Sequence, residues 1–189
     1  MPINLSWTIG PEGAERLNTD PALRTASMTR VTVIGARCGP SDSSEILERL
    51  RAMSNGAALV LDADLVCGSE HLLSAVMHAE RSFANSSNSC KDIAMETMLF
   101  ASGERQISKA KEKMSPKKGA EKLAIVLFEA EPDEVIRFAS LSRDDSVLEC
   151  TPEKAVRFGV PLKELETAGE DRASDLVLER VAFVEIAKR

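Results

Sequence analysis

Turn-forming residues are few in this 189-residue sequence, with 10 glycines and 8 prolines, and no low-complexity tract accompanies them. Such a composition excludes a collagen-like or disordered polymer. Long apolar runs are missing too. No stretch approaches the roughly 18 uninterrupted apolar residues of a spanning helix, so no membrane association is expected. Met1 to Gly10 carries no basic start followed by an apolar run of about 7 to 15 residues, and the expected location is the cytoplasm. The four cysteines, Cys38, Cys67, Cys90 and Cys150, lie 29, 23 and 60 positions apart. None has the spacing of a zinc knuckle, and they read as buried, inert thiols.

Histidine is scarcer still, limited to His71 and His78. On one helix they would be separated by about 10.5 Å of rise, too far to share a metal ion. There is no G-x-S-x-G nucleophile elbow, no phosphate loop and no glycine-rich dinucleotide fingerprint; Gly68-Ser69-Glu70-His71 fails the spacing. Asp62 and Asp64, at i and i+2 after a strand, read as the solvent face of a loop. No catalytic apparatus emerges and no cofactor is expected. A hydrolytic alternative would draw on Asp62, Asp64, Glu70 and His71.

What is present is a core. Hydrophobic residues make up 43% and charged residues 29%, with 24 basic against 30 acidic side chains, enough apolar material for one packed unit. Residues 1–28 show no sustained periodicity and read as an extension, with Met28 a candidate alternative start; residues 29–189 read as a single α/β domain. Strands are expected at Val31 to Ala36, Ala58 to Leu61, Thr97 to Ala101 and Leu123 to Phe128. The third of these could equally continue a helix begun near Asp92.

Between the strands the pattern turns helical. Asp42 with Glu45 forms a capping box ahead of Ile46, Leu47, Leu50 and Met53, and Asn55-Gly56 closes that helix. A second helix after Gly68 or Ser69 places Leu72, Leu73, Val76, Met77 and Phe83 on a buried stripe, with His71, Ser74, His78 and Arg81 on a polar one. Further helices are expected around Ile107 to Met114, Pro132 to Ala139, Pro152 to Phe158 and residues 173–187. The last is too apolar for a fully polar outer side, so it is either buried or meets a partner. Strands interleaved with helices define an α/β fold, a layered domain with a small central sheet of about four strands flanked by helices and ending in a C-terminal helix.

Charge is unevenly placed. From Glu104 to Lys118 six basic residues face two acidic ones, giving net +4 against −10 on the rest of the chain. A basic helix on an acidic body attracts a phosphate backbone, although a solvated helix face with local salt bridges has the same composition. The nearby Phe100 is the sole aromatic there, and no stacking platform accompanies it.

Two strings are distinctive: Asp62-Ala63-Asp64-Leu65-Val66-Cys67-Gly68-Ser69-Glu70-His71-Leu72-Leu73-Ser74-Ala75, and Phe100-Ala101-Ser102-Gly103-Glu104-Arg105-Gln106-Ile107-Ser108-Lys109-Ala110. In this order, and followed by a Leu-Ala-Ile-Val-Leu strand, the chain resembles the small accessory subunit of the archaeal KEOPS complex, the family of the PRPK-binding protein. The resemblance runs from about residue 30 to the C-terminus.

It implies a non-catalytic protein that binds the small kinase-like ATPase subunit of KEOPS and, through it, supports the transferase subunit that makes threonylcarbamoyl-adenosine in tRNA. It also implies a grip on the 3′ CCA end of tRNA. On the matching motifs, Arg105, Lys109 and Lys113 would neutralise phosphates. Ser102 and Gly103 would allow close backbone approach, and His71, Arg37 or Gln106 would face a terminal base. The kinase face is expected on the helices of residues 70–84 and 173–187, at Leu72, Ala75, Val76, Leu176, Val177, Val181 and Val184. A kinase-binding regulatory module without RNA contact is the alternative.

Overall fold

In the string Leu123 to Phe128 successive side chains point to opposite faces of a strand, and both faces are apolar, so a strand here needs cover on both sides. The computed structural model, which describes residues 30–39, 46, 49–50 and 58–187, shows that cover. Strand β3 (Lys122–Phe128) lies between β1 (Val31–Arg37) and β2 (Ala58–Asp62), and a two-residue strand β4 (Ser142–Arg143) extends the other edge of β1. All pairings are antiparallel, with Ile34 opposite Ile125 and Val60 opposite Ile125 on the other side.

Ala124, Val126 and Phe128 enter one core, and Leu123, Ile125 and Leu127 enter a second. The first is built from helices α1 (Ser69–Ala84), α2 (Ile93–Ser102), α3 (Ile107–Met114), α5 (Pro152–Phe158), α6 (Leu162–Ala168) and α7 (Ala173–Ala187). The second takes Val135 and Ala139 from α4 (Pro132–Ala139), together with Ile34, Ala36, Ile46 and Leu50. The helix expected between Asp42 and Met53 otherwise lies outside the described residues, as do residues 1–28. The fold is thus mixed α/β with a four-stranded sheet and a C-terminal helix, as expected.

The identity of the fourth strand is a correction. Thr97 to Ala101 belongs to α2, and the fourth strand is Ser142–Arg143. Asp92 starts α2 by accepting the Met95 N–H at 2.8 Å, and every residue from Glu96 to Ser102 is buried. A helix surrounded by protein shows no polar side, and its apolar run imitates a buried strand. The carboxylate of Glu96 inside it accepts from the Ser82 hydroxyl (3.0 Å) and the backbone N–H groups of Ser89 (3.0 Å) and Cys90 (2.8 Å). Its hydrogen bonds fold the loop after α1 back onto α2 and satisfy a charge that would otherwise be costly to bury.

Gly35 of β1 sets how closely the next layer approaches. A Cβ there would lie 2.4 Å from the Asp144 carbonyl oxygen and 2.8 Å from Val147 Cγ2. The absence of a side chain lets Asp144 N–H bond the Gly35 carbonyl (2.9 Å) and the Asp145 carboxylate accept the Gly35 N–H (2.9 Å). Gly35→Ala is expected to cost about 1–3 kcal/mol by forcing this backbone away, read as a lower urea midpoint. An unchanged midpoint would contradict this packing.

Candidate protein and nucleic-acid interfaces

The motif residues fall into two groups, one inside the protein and one on its surface. Gly103, at φ 68°, ends α2 in the left-handed conformation that favours glycine, and its N–H bonds the Phe100 carbonyl. Just before it, Ser102 is buried; its hydroxyl donates to the Leu99 carbonyl (2.8 Å) and accepts the Glu104 N–H (3.1 Å). The Ser102 carbonyl accepts from Lys113 Nζ at 2.7 Å, and that ammonium sits 3.9 Å from the centroid of the Phe158 ring. Burial pushes the Lys113 pKa below the ordinary lysine value, while Glu104, 3.8 Å away, opposes the shift.

His71 is fully buried beside this lysine. Its Nδ1 accepts the Cys67 N–H at 3.2 Å, which fixes the proton on Nε2, and Nε2 donates to the Ala101 carbonyl at 2.8 Å. The Phe158 ring meets the imidazole edge-on, centroids 5.2 Å apart. Burial, reinforced by the Lys113 charge, pushes the imidazole pKa down to about 4; a second proton would also point Nδ1–H at the Cys67 N–H. His71, Ser102 and Lys113 therefore form an internal joint at the carbonyl end of α2. His71 and Ser102 are buried and so are not surface contacts for RNA, which corrects the expectation drawn from the motifs, whereas Lys113 is half-buried with its ammonium held inward.

No hydrogen bond joins the imidazole to the carboxylates of the hydrolytic alternative. Asp62 accepts the Asp64 N–H (3.0 Å), and Asp64 pairs with Arg157 (2.8 Å) and Lys122 (3.4 Å). Among the described residues no cluster of three or more His, Cys, Asp or Glu could hold a metal ion, and no helix is long and apolar enough to cross a membrane.

The surface group is basic. Ala110 and Met114 anchor α3 in the core, whereas Arg105, Gln106 and Lys109 are exposed at its start. Arg105, Lys109, Lys111 and Lys118 form no ion pair among the described residues. Gln106, the residue preceding α3, makes no side-chain cap, so the first-turn N–H groups add to the positive character there. Arg37 belongs elsewhere: at the end of β1 it pairs with Asp144 at 2.6 Å.

The helices α1 and α7 form the other surface. Ser174 reaches the Cys67 carbonyl at 3.5 Å and His78 Nδ1 donates to Glu185 at 2.7 Å, so positions advance together along both helices and they run parallel. The residues expected to meet a kinase, Leu72, Ala75, Val76, Leu176, Val177, Val181 and Val184, are all buried in the first core. That is the second correction: the regular apolar stripe is what the core consumes. The apolar groups left outside are Leu73 (39% exposed) and Met77 (61%) on α1, with Phe183 (62%) and Ile186 (67%) on α7. Leu73 and Met77 had been expected inside; Phe183 and Ile186 are what the excess apolar character of α7 signalled. Beside the His78–Glu185 pair a cavity of about 220 Å³ opens, walled by the Phe100 ring on which His78 stacks, centroids 5.4 Å apart.

Exposed large apolar side chains thus lie on both α1 and α7, and exposed basic ones lie at the start of α3. The sequence model of one family, described as kinase binding protein CGI-121, matches residues 40–183, and the chain belongs to that family. No curated protein matches it at a significant level.

The joint has a pH signature. Because the folded His71 pKa lies below the unfolded value of about 6.5, its contribution is complete above that value and is lost as pH falls toward 4, to a total of about 3 kcal/mol. Urea unfolding of the wild type between pH 7 and pH 4 is expected to lose stability more steeply than His71→Leu, which starts less stable. Parallel curves would contradict the neutral buried imidazole.

Proposed function

We propose that this chain is a non-catalytic subunit of a KEOPS complex, holding the small kinase-like ATPase subunit against the outer face of α1 and α7. Through that partner it supports the transferase subunit that forms threonylcarbamoyl-adenosine in tRNA. The observation that carries this reading is the exposure of Leu73, Met77, Phe183 and Ile186 on two adjoining helices, in a chain whose family is described as kinase binding. Exposed large apolar side chains of this kind mark association surfaces when they gather. Met77→Glu and Phe183→Glu are expected to weaken binding to the kinase-like subunit at least about tenfold while leaving the thermal midpoint unchanged, since neither side chain is in the core. Unaltered affinity in calorimetry would remove the proposed face.

The RNA half of the proposal rests on Arg105, Gln106 and Lys109 at the start of α3. Arg105 and Lys109 would take the phosphates near a 3′ CCA end and Gln106 would face a terminal base, which would raise the local concentration of tRNA beside the active subunits. Arg105→Glu combined with Lys109→Glu is expected to reduce tRNA affinity and to lower the slope of log K against log salt by about 1–2. Kinase-subunit binding is expected to persist. Equal tRNA affinity across a salt series, with or without the CCA end, would overturn this half. A kinase-binding module without RNA contact is the second reading, and the burial of His71 and Ser102 favours it.

A further inference from the structure

Leu73, Met77, Arg81 and Asn85 recur at four-residue intervals, so they line one side of α1 and its C-terminal end. The first two are exposed apolar groups and the last two are exposed donors. Arg81 and Asn85 also wall the cavity of about 220 Å³, together with Glu185 of α7 and the His78 and Phe100 rings. There the Glu185 carboxylate accepts from His78 Nδ1 at 2.7 Å and from Arg81 at 3.4 Å. The other guanidinium N–H groups of Arg81 and the side-chain amide of Asn85 have no partner among the described residues. The last carbonyls of α1, those of Arg81, Ser82 and Phe83, already accept the N–H groups of Asn85, Ser87 and Ser86. The loop that completes the cavity is fastened as well, since the Ser87 hydroxyl donates to the Ser82 carbonyl (3.3 Å) and Glu96 holds the Ser89 and Cys90 N–H groups.

We infer, on the reading that the kinase-like subunit meets α1 and α7, that this cavity seats a carboxylate side chain of that subunit, gripped by Arg81 and Asn85. The exposed Met77 and Ile186 are the chain neighbours of His78 and Glu185, so the cavity adjoins the apolar face. An apolar side chain entering it would strip water from the Arg81 and Asn85 donors and give nothing in return. A cation would meet the Arg81 charge, and the Glu185 oxygens already serve two donors. A carboxylate instead completes the planar fork of Arg81, which offers two parallel N–H bonds. An RNA phosphate carries the same sign of charge, but its chain would have to cover Met77 and Ile186 and would bring further phosphates against Glu185. Because the loop is already fixed, little ordering is left to oppose binding. The acidic side chain of the partner then lies about 6 Å along the α1 axis from the apolar group that covers Met77.

The test titrates the full chain with the purified kinase-like subunit in a calorimeter at two salt concentrations. Arg81→Gln is expected to weaken binding about tenfold, and the affinity that remains is expected to change less with salt. Glu185→Gln keeps the shape of the wall and removes the competing negative charge, so it is expected to strengthen binding several-fold. Wild-type affinity in Arg81→Gln, with Phe183→Glu still weakened, would overturn the carboxylate seat and leave the helix face in place; wild-type affinity in both would remove both. Weaker binding by Glu185→Gln would indicate a cationic side chain in the cavity and overturn the inference. Loss of tRNA affinity in Arg81→Gln, with kinase-subunit binding intact, would overturn it too.

Discussion

At the carbonyl end of α2, Ala101 and Ser102 direct backbone oxygens into the protein instead of into water, where an unpaired acceptor costs about 1–3 kcal/mol. His71 from α1 and Lys113 from α3 supply the donors, at 2.8 and 2.7 Å, and Phe158 from α5 lies against both. Four helices are thereby fixed around one ring. A lysine at this position also opposes the negative end of the α2 dipole. Because α1 is oriented by His71, the side it turns to solvent is set by the joint; because α3 is oriented by Lys113, so is the direction in which Arg105 and Lys109 project. The surfaces proposed to meet partners are therefore consequences of a buried polar contact.

The strands and helices with one polar side were legible from the sequence. Leu123 to Phe128 is a continuous apolar run of strand length, Pro132 to Ala139 and Pro152 to Phe158 have a proline at the helix start, and the structure places elements at all three. Thr97 to Ala101 misled because a helix enclosed on every side has no periodic polar position. Ser142–Arg143 has only two residues, too few to carry a pattern, and it exists because Gly35 admits its neighbours. At the site, composition located the basic helix but could not separate Lys109, which faces water, from Lys113, which faces Phe158. That distinction depends on elements distant in sequence.

The helix pair shows the same limit more sharply. Selecting the most regular apolar positions of α1 and α7 finds the core, since burial is what repeats at 3.6 residues; Val177 and Val181 are its product. The proposed docking face consists of the apolar residues left exposed outside that stripe, Leu73, Met77, Phe183 and Ile186. Their signal was the weak polarity of the outer side of α7, and it pointed to the helix without naming the residues. The division of labour is physical: inward apolar groups stabilise the fold, and outward ones are available for an interface whose affinity a partner can supply.

The central claim is that the kinase-like subunit rests on the outward face of α1 and α7, and methyl nuclear magnetic resonance of the chain titrated with that subunit reads it residue by residue. The account predicts that the methyl signals of Met77, Leu73 and Ile186 shift or broaden on binding while those of the buried Met114 and Ile125 stay in place. Changes confined to the α3 side, or no change at Met77 and Ile186 in a saturated complex, would contradict it.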